Sequence, residues 1–448
     1  MTTSSSSPKK AAPSNPRWGL TTQIVVAMVL GSLLGLVLHS GLGYANLDSF
    51  ENAPGWVLSL RAWLVDGVLD VGGSLFINAL RLLVVPLVFC SLVCGMSVLG
   101  ANLGTVGIRT VVFYLTTTAF AIALALLVAS ITRPGAGVGE AVSTSFQLRD
   151  SVPFTEILAG IIPSNPVMAM AEGNMLQIIV FSLLFGAALS QLGKKVEQVR
   201  IVMEQFNEVF INMMMFIVRF APYGVFCLVG YVFTTKGASI FTSLLTYFLT
   251  VLVVLVLHAV LVYIPALKLF ARVSPRVFFS KVRNLMLVAF STSSSGATLP
   301  ITLQTMTQNL GISRSIASFT APLGATINMD GTSIMMGVAT VTIAAIYSLP
   351  LTPADYILVL VTASLATIGT ASVPGAGLIM LALVLQQVGL PAEGIGIVLA
   401  VDRLLDMART SLNVCGDCVI STIVAHAEGE LDRKTLENPR AMLSLKTY

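Results

Sequence analysis

Asp402, Asp406, Arg409, Asn413 and Asp417 follow one another at intervals of four, three, four and four residues. At 100° per residue they fall on one helical stripe about 80° wide. The residues between them are mostly apolar, and the stretch is long enough to cross a bilayer. An Asp or Arg at the centre of a span costs roughly 2.5 to 3.5 kcal/mol, so four such groups cost on the order of 10 kcal/mol unless they face water or partners. Ionisable groups held at that cost read as a binding site.

The types suggest the ligand. Arg409 stays ionised and its planar fork suits a carboxylate. Asp406, almost one turn away, suits an ammonium. With the hydroxyls of Ser294, Ser295 and Thr410 they would complement a small zwitterion carrying a second carboxylate. The same spacing also allows Arg409 and Asp406 simply to pair with each other at i, i+3. Arg403 falls off the stripe. A second constellation is Asn328 to Thr332, NMDGT, which places an amide, a carboxylate and a hydroxyl inside an apolar run. Gly331 is expected to let the backbone leave the helix there and to expose carbonyl oxygens beside Asp330. Carbonyl and carboxylate oxygens suit a hard cation such as Na+, and Asn413 with Asp417 could supply another such site. Otherwise Asp330 is a buried acid hydrogen-bonded to Asn328.

These groups must be positioned by membrane helices. The chain has 448 residues, 55% hydrophobic and 10% charged, with a mean hydropathy of +0.89, a composition outside the soluble globular range. Residues 110–132, 237–267, 284–313, 331–354 and 356–392 carry no Asp, Glu, Lys or Arg, and about 20 apolar residues suffice for one crossing. Spans are predicted near 19–40, 56–99, 107–130, 175–192, 200–232, 240–270, 313–345 and 393–426. Segments 276–305 and 352–392 contain FSTSSSGATLP and TASLATIGTASVPGAGLIML. Their small, hydroxyl, Gly and Pro centres free backbone groups that lipid cannot satisfy, so each is expected to be a hairpin of two half-helices lining a cavity. Two such interrupted segments point to a transporter site. Residues 1–18 and 429–448 read as cytoplasmic tails, the first disordered. Short clusters such as Lys9, Lys10 and Arg17 fit positive-inside topology better than nucleic-acid binding. Cys415 and Cys418 form a lone CxxC mid-span, better suited to packing than to zinc or redox chemistry.

STSSSGATLP, NMDGT, VPGAGLIML and DRLLDMARTSLNVCGD, in this order and spacing, resemble the signature of the glutamate transporter family, the dicarboxylate/amino acid:cation symporters. The resemblance runs from the first span to about residue 428. It implies an all-α membrane protein of eight transmembrane helices and two re-entrant hairpins, with inverted repeats, assembled as a homotrimer. In such a protein a mobile transport domain (third and sixth spans, both hairpins, spans seven and eight) moves like an elevator against a scaffold of the first, second, fourth and fifth spans. It also implies substrate contacts from Ser294, Ser295, Thr332, Val373, Gly377, Asp406, Arg409, Thr410 and Asn413. Three sodium sets follow: Gly324, Asn328, Asn413 and Asp417; Tyr114, Thr117, Thr118, Asn328 and Asp330; and carbonyls near Thr326, Met329, Thr367, Ile368 and Thr370. Na+ serves as coupling ion, and no cofactor is implied.

The chain departs from relatives that carry an additional arginine just before the hairpin serines or just after the Asp matching Asp406, since Ser293 and Met407 stand there. The expectation is nevertheless Na+-coupled uptake of L-aspartate or L-glutamate through a prokaryotic inner membrane. Within the family, proton coupling or transport of neutral amino acids or C4-dicarboxylates are the competing readings. An intramembrane protease fits poorly, because Ser294 or Ser295 would need a base and His39, His258 and His426 lack a recognisable catalytic context. A channel would place the same stripe along a continuous pore.

Overall fold

A computed structural model describes residues 20–41, 54–101, 105–136, 162–368, 370, 372 and 375–438. The segment 1–18, residues 439–448 and the hairpin residue Val373 lie outside the described residues. Among those described the chain is helical throughout, apart from one isolated antiparallel bridge between Ile312 and Leu431. Six helical stretches are long and apolar enough to cross a membrane.

The first group of helices begins with α1 (Leu20–Gly41) and α2 (Gly55–Leu60), which runs through a π-helical segment (Arg61–Leu69) into α3 (Asp70–Leu82). Helices α4 (Val84–Ala101), α5 (Thr105–Thr132), α6 (Pro166–Glu172) and α7 (Met175–Leu192) follow. Next come α8 (Glu197–Val218) and α9 (Ala221–Lys236). The expected single span 200–232 is therefore two helices. Pro222 has no N–H to give the carbonyl of Val218 and its ring crowds that turn, so the helix stops at Val218 and restarts. Helix α1 packs on α9, and α4 packs on α7 and α8.

The second group starts with α10 (Ser239–His258), extended by π turns to Ala271. It continues through α11 (Pro275–Thr292), α12 (Ser295–Gln304), α13 (Arg314–Ile327) and α14 (Asp330–Ile346). It ends with α15 (Pro353–Ile368), α16 (Ala376–Gln387), α17 (Ile395–Ala427) and the short α18 (Arg433–Glu437). Helix α14 packs on α5, α10 and α17 and is buried over nearly its whole length. Helix α17 has 33 residues, about 50 Å at 1.5 Å per residue, so it too can span although its charges mark it off from the apolar spans. Outer helices instead expose Leu33, Val37, Phe120, Leu127 and Ile131, apolar faces that suit lipid as solvent.

Helices α11 and α12 pack on each other, as do α15 and α16, and each pair is broken at its centre. In the first break Ser293 takes the left-handed conformation at φ 50°, and Ser294 caps α12 by accepting from the N–H of Ala297 at 3.1 Å. The two breaks touch: the Ser294 hydroxyl and the Gly296 N–H both donate to the carbonyl of Ser372, at 2.7 and 3.2 Å. Past α17 the chain folds back, and the Lys281 ammonium donates to the carbonyls of Thr435 and Asn438, both at 2.9 Å. Residues up to 438 are thus docked against the base of α11.

Candidate functional site

All five stripe residues on α17 are buried in protein, so the membrane cost that their composition threatened is met by internal partners and a polar cavity. The cavity lies where the two hairpin breaks, the start of α14 and the middle of α17 converge. It is lined by Ser293, Ser295, Met329, Thr332, Thr370, Ser372, Ala376, Gly377, Asp406, Thr410 and Asn413. Its volume of about 20 Å³ holds a water but not an amino acid. Among the expected substrate residues, Ser295, Thr332, Gly377, Asp406, Thr410 and Asn413 line it. Ser294 and Arg409 do not; the Ser294 hydroxyl is committed to the α12 cap and to Ser372, and Arg409 lies behind the lining.

Arg409 is buried and makes the i, i+3 pair: its Nη2 donates to Asp406 Oδ1 at 2.9 Å. Asp402 Oδ1 lies 3.1 Å from the same nitrogen, an ion-pair contact rather than an aligned hydrogen bond. Arg409 Nε and Nη1 are left without hydrogen-bond partners among the described residues. A Cβ added to Gly377 would lie 3.5 Å from that Nη1, so the unused edge of the guanidinium faces the cavity wall where α16 begins. Asp406 Oδ2 accepts from the N–H of Gly375 at 3.3 Å, and Arg403 Nη1 stands 3.5 Å away.

Helices α13 and α14 are interrupted at Asn328 (φ −86°, ψ 81°) and Met329 (φ −116°, ψ 51°). The departure from helix expected at Gly331 therefore occurs two to three residues earlier, and Gly331 sits within the first turn of α14. It is needed for close approach instead: a Cβ there would lie 2.7 Å from the carbonyl oxygen and 2.9 Å from Cα of Arg409. Backbone atoms cannot rotate away, so Gly331→Ala should separate α14 from α17, at about 1–3 kcal/mol. The expected result is a lower unfolding temperature; an unchanged melting curve would refute this account of the contact.

The expected cation residues gather around the same interruption. Asn328 Nδ2 donates to Asp417 Oδ1 at 2.9 Å and to the Asn413 carbonyl at 3.3 Å, while Asn413 Oδ1 accepts from the Gly331 N–H at 2.7 Å. Gly324 packs against the Asp417 carboxylate and leaves no room for a side chain. Thr117 Oγ1 donates to the Tyr114 carbonyl at 3.0 Å, and Thr118 Oγ1 donates to Asp330 Oδ1 at 2.6 Å. Asn328 Oδ1 is buried without a donor among the described residues. Oxygens of this kind, with carboxylates nearby, are ligands for a hard cation. The third set is less gathered. Met329 and Thr370 line the cavity, Thr370 N–H donates to the Thr367 carbonyl at 3.3 Å, Ile368 ends α15, and the Thr326 hydroxyl turns back on Leu323. Cys415 and Cys418 are buried free thiols.

The match to the model of the sodium:dicarboxylate symporter family extends over residues 20–427. The chain belongs to that family. The symporter is similar to the proton/glutamate-aspartate symporter of Escherichia coli (strain K12), at 33% identity over 94% of this chain and 95% of that protein. It also resembles the proton/sodium-glutamate symport protein of Bacillus subtilis (strain 168), at 29% identity over 92% and 94% of the two chains. The C4-dicarboxylate transport protein of the same Bacillus strain is likewise 29% identical, over 96% and 98%. The family is one of membrane transporters rather than enzymes.

The sequence reading of this symporter did not assign three groups that the structure ties to the site. Asp402 lies on the stripe and flanks Arg409. Asp330 is held on its Oδ2 by the Tyr263 hydroxyl at 2.8 Å and by His258 Nε2 at 3.1 Å. A lone histidine inside an uncharged run, LVLHAVLVYIPA, was the available signal.

Proposed function

We propose that this symporter couples Na+ to the uptake of L-aspartate or L-glutamate across the cytoplasmic membrane, as a homotrimer in which α5 and α10 to α17 move as an elevator past α1 to α4 and α7 to α9. The observation that carries the reading is the buried Arg409, whose Nε and Nη1 have no hydrogen-bond partner among the described residues while its Nη2 leans on Asp402 and Asp406. A guanidinium left half-satisfied in a dry site is costly, and a side-chain carboxylate from the ligand would complete it. The ligand ammonium would then take Asp406 Oδ2, now held by the Gly375 N–H. The hydroxyls of Thr332, Thr410 and Ser295, with Asn413, would hold the remaining polar groups.

The contact between the hairpin breaks closes a cavity too small for the ligand, so binding requires the Ser372 carbonyl to leave Ser294 and Gly296. Cations on Asn328, Asp330 and Asp417 would neutralise the anionic ligand and favour return of the second hairpin over it. Neither ligand alone moves that equilibrium far, which is the thermodynamic content of symport. The names of similar proteins include proton, sodium, glutamate-aspartate and C4-dicarboxylate transport, so cation and substrate are tested together. In vesicles, replacing external sodium by choline should lower uptake of labelled aspartate about tenfold or more, and unlabelled glutamate should compete better than succinate or alanine. Uptake unchanged in choline and driven by an inward proton gradient would remove sodium from the reading.

A further inference from the structure

We propose that His258 and Tyr263 are positioning residues that clamp one oxygen of Asp330 and thereby set the affinity of its site for the coupling cation. The proposal rests on the reading of Asp330 as a cation ligand. Its basis is a local departure from α-helix. Residues five apart on an α-helix point about 140° from each other, so His258 and Tyr263 would not share a target. Helix α10 ends at His258, and Ala259–Tyr263 forms a π turn in which the N–H of Ile264 reaches the carbonyl of Ala259. With i→i+5 bonding the turn is wider, and residues five apart come onto one face of the helix. Both side chains then reach Asp330 Oδ2, at 3.1 and 2.8 Å, with their rings edge to face and centroids 4.8 Å apart. All three residues are fully buried.

The saturation of Oδ2 decides how a cation can approach. A carboxylate oxygen offers two lone pairs in its plane; with His258 assigned the Nε2–H tautomer, the neutral form that can donate to a carboxylate, Oδ2 spends both, on that N–H and on the Tyr263 hydroxyl. Among the described residues Oδ1 accepts only from Thr118 and keeps a lone pair. Asp330 is therefore presented to a cation through Oδ1 alone, with its plane fixed, beside the Thr118 hydroxyl. Without the clamp the carboxylate could turn and lose that geometry. Two further features support a dedicated arrangement. Gly416 on α17 makes room for the Tyr263 hydroxyl, since a Cβ there would collide with it and would sit 2.6 Å from Asn328 Nδ2. His258 Nδ1 is buried without a partner among the described residues, so the ring is anchored through Nε2 only. A residue retained for packing would not need that unmet polar atom.

The test uses purified full-length protein and measures aspartate binding by calorimetry across sodium concentrations. In His258→Leu and Tyr263→Phe the sodium concentration for half-maximal binding should rise about tenfold or more, as expected for loss of a hydrogen bond to a charged group. Aspartate affinity at saturating sodium should stay as in the wild type. His258→Gln, whose amide N–H can reach the same oxygen, should restore the wild-type sodium curve. A purely structural role predicts instead a loss of binding capacity with no shift of that curve, and no rescue by Gln. If His258→Leu does not fold, Tyr263→Phe carries the test, because it removes one hydroxyl and no volume of consequence. An unmoved sodium curve in Tyr263→Phe would overturn the clamp. Wild-type binding that ignores sodium altogether would overturn the underlying cation reading, and is distinguished by the absence of any sodium curve to shift.

Discussion

Arg409→Cys should abolish uptake of aspartate and glutamate and admit neutral amino acids of similar size. The guanidinium is the buried cation whose free edge is available to a second carboxylate, so its removal leaves that carboxylate desolvated and unpaired. Truncating one member of a buried, hydrogen-bonded charge pair costs about 3 to 4 kcal/mol, or on the order of 10²- to 10³-fold in affinity. The same change takes the shared counter-ion from Asp402 and Asp406, which would then face each other without the guanidinium between them. Folding must therefore be read separately from binding. The double variant Arg409→Cys with Asp402→Asn removes one of the stranded charges and should recover thermal stability without recovering acidic uptake. Competition assays with serine and alanine on this variant measure the gain. Wild-type affinity for aspartate in either variant would defeat the assignment.

Asp406→Asn should weaken every amino acid, whatever its side chain, because the ammonium is the group they share. The amide keeps the size of the carboxylate and can still accept from the Gly375 N–H. It loses the charge that faces an ammonium, and hydrogen bonds to charged groups are worth about 1.5–3 kcal/mol, so binding of aspartate and glutamate should fall roughly 10- to 100-fold. Dicarboxylates without an amine should lose much less. The ratio of aspartate to succinate affinity, measured by calorimetry at saturating sodium, is therefore the sensitive quantity. An unchanged ratio would show that Asp406 acts only as the support of Arg409, through the 2.9 Å bond between them.

Those two residues were legible in the sequence because α17 is a long regular helix, and period alone puts Asp402 to Asp417 on one face. The same regularity made α5 and the start of α10 readable from uncharged runs. Legibility failed where the backbone leaves regular geometry. The chain is apolar on both sides of Arg219 and Phe220, so the split of 200–232 depended on giving Pro222 its steric weight. Near NMDGT the glycine drew attention to itself, yet Asn328 and Met329 carry the break and Gly331 serves a helix contact. The π turn after His258 leaves no trace in composition, and Tyr263 is placed on Asp330 only by the packing of α10 against α14. Partners of that kind belong to tertiary structure, and the pairing of Arg409 with Asp402 as well as Asp406 does too.

Three helices begin at the cavity: α12 at Ser295, α14 at Asp330 and α16 at Ala376, and Ser295, Thr332 and Gly377 in their first turns all line it. Each amino-terminal end carries about half a positive elementary charge. Their sum adds to Arg409 a field that prefers anions. Because it arises from peptide dipoles inside the protein, mobile ions in the surrounding solution screen it weakly. A preference of the emptied site for a doubly carboxylated ligand should accordingly persist at ionic strengths that erase surface electrostatics.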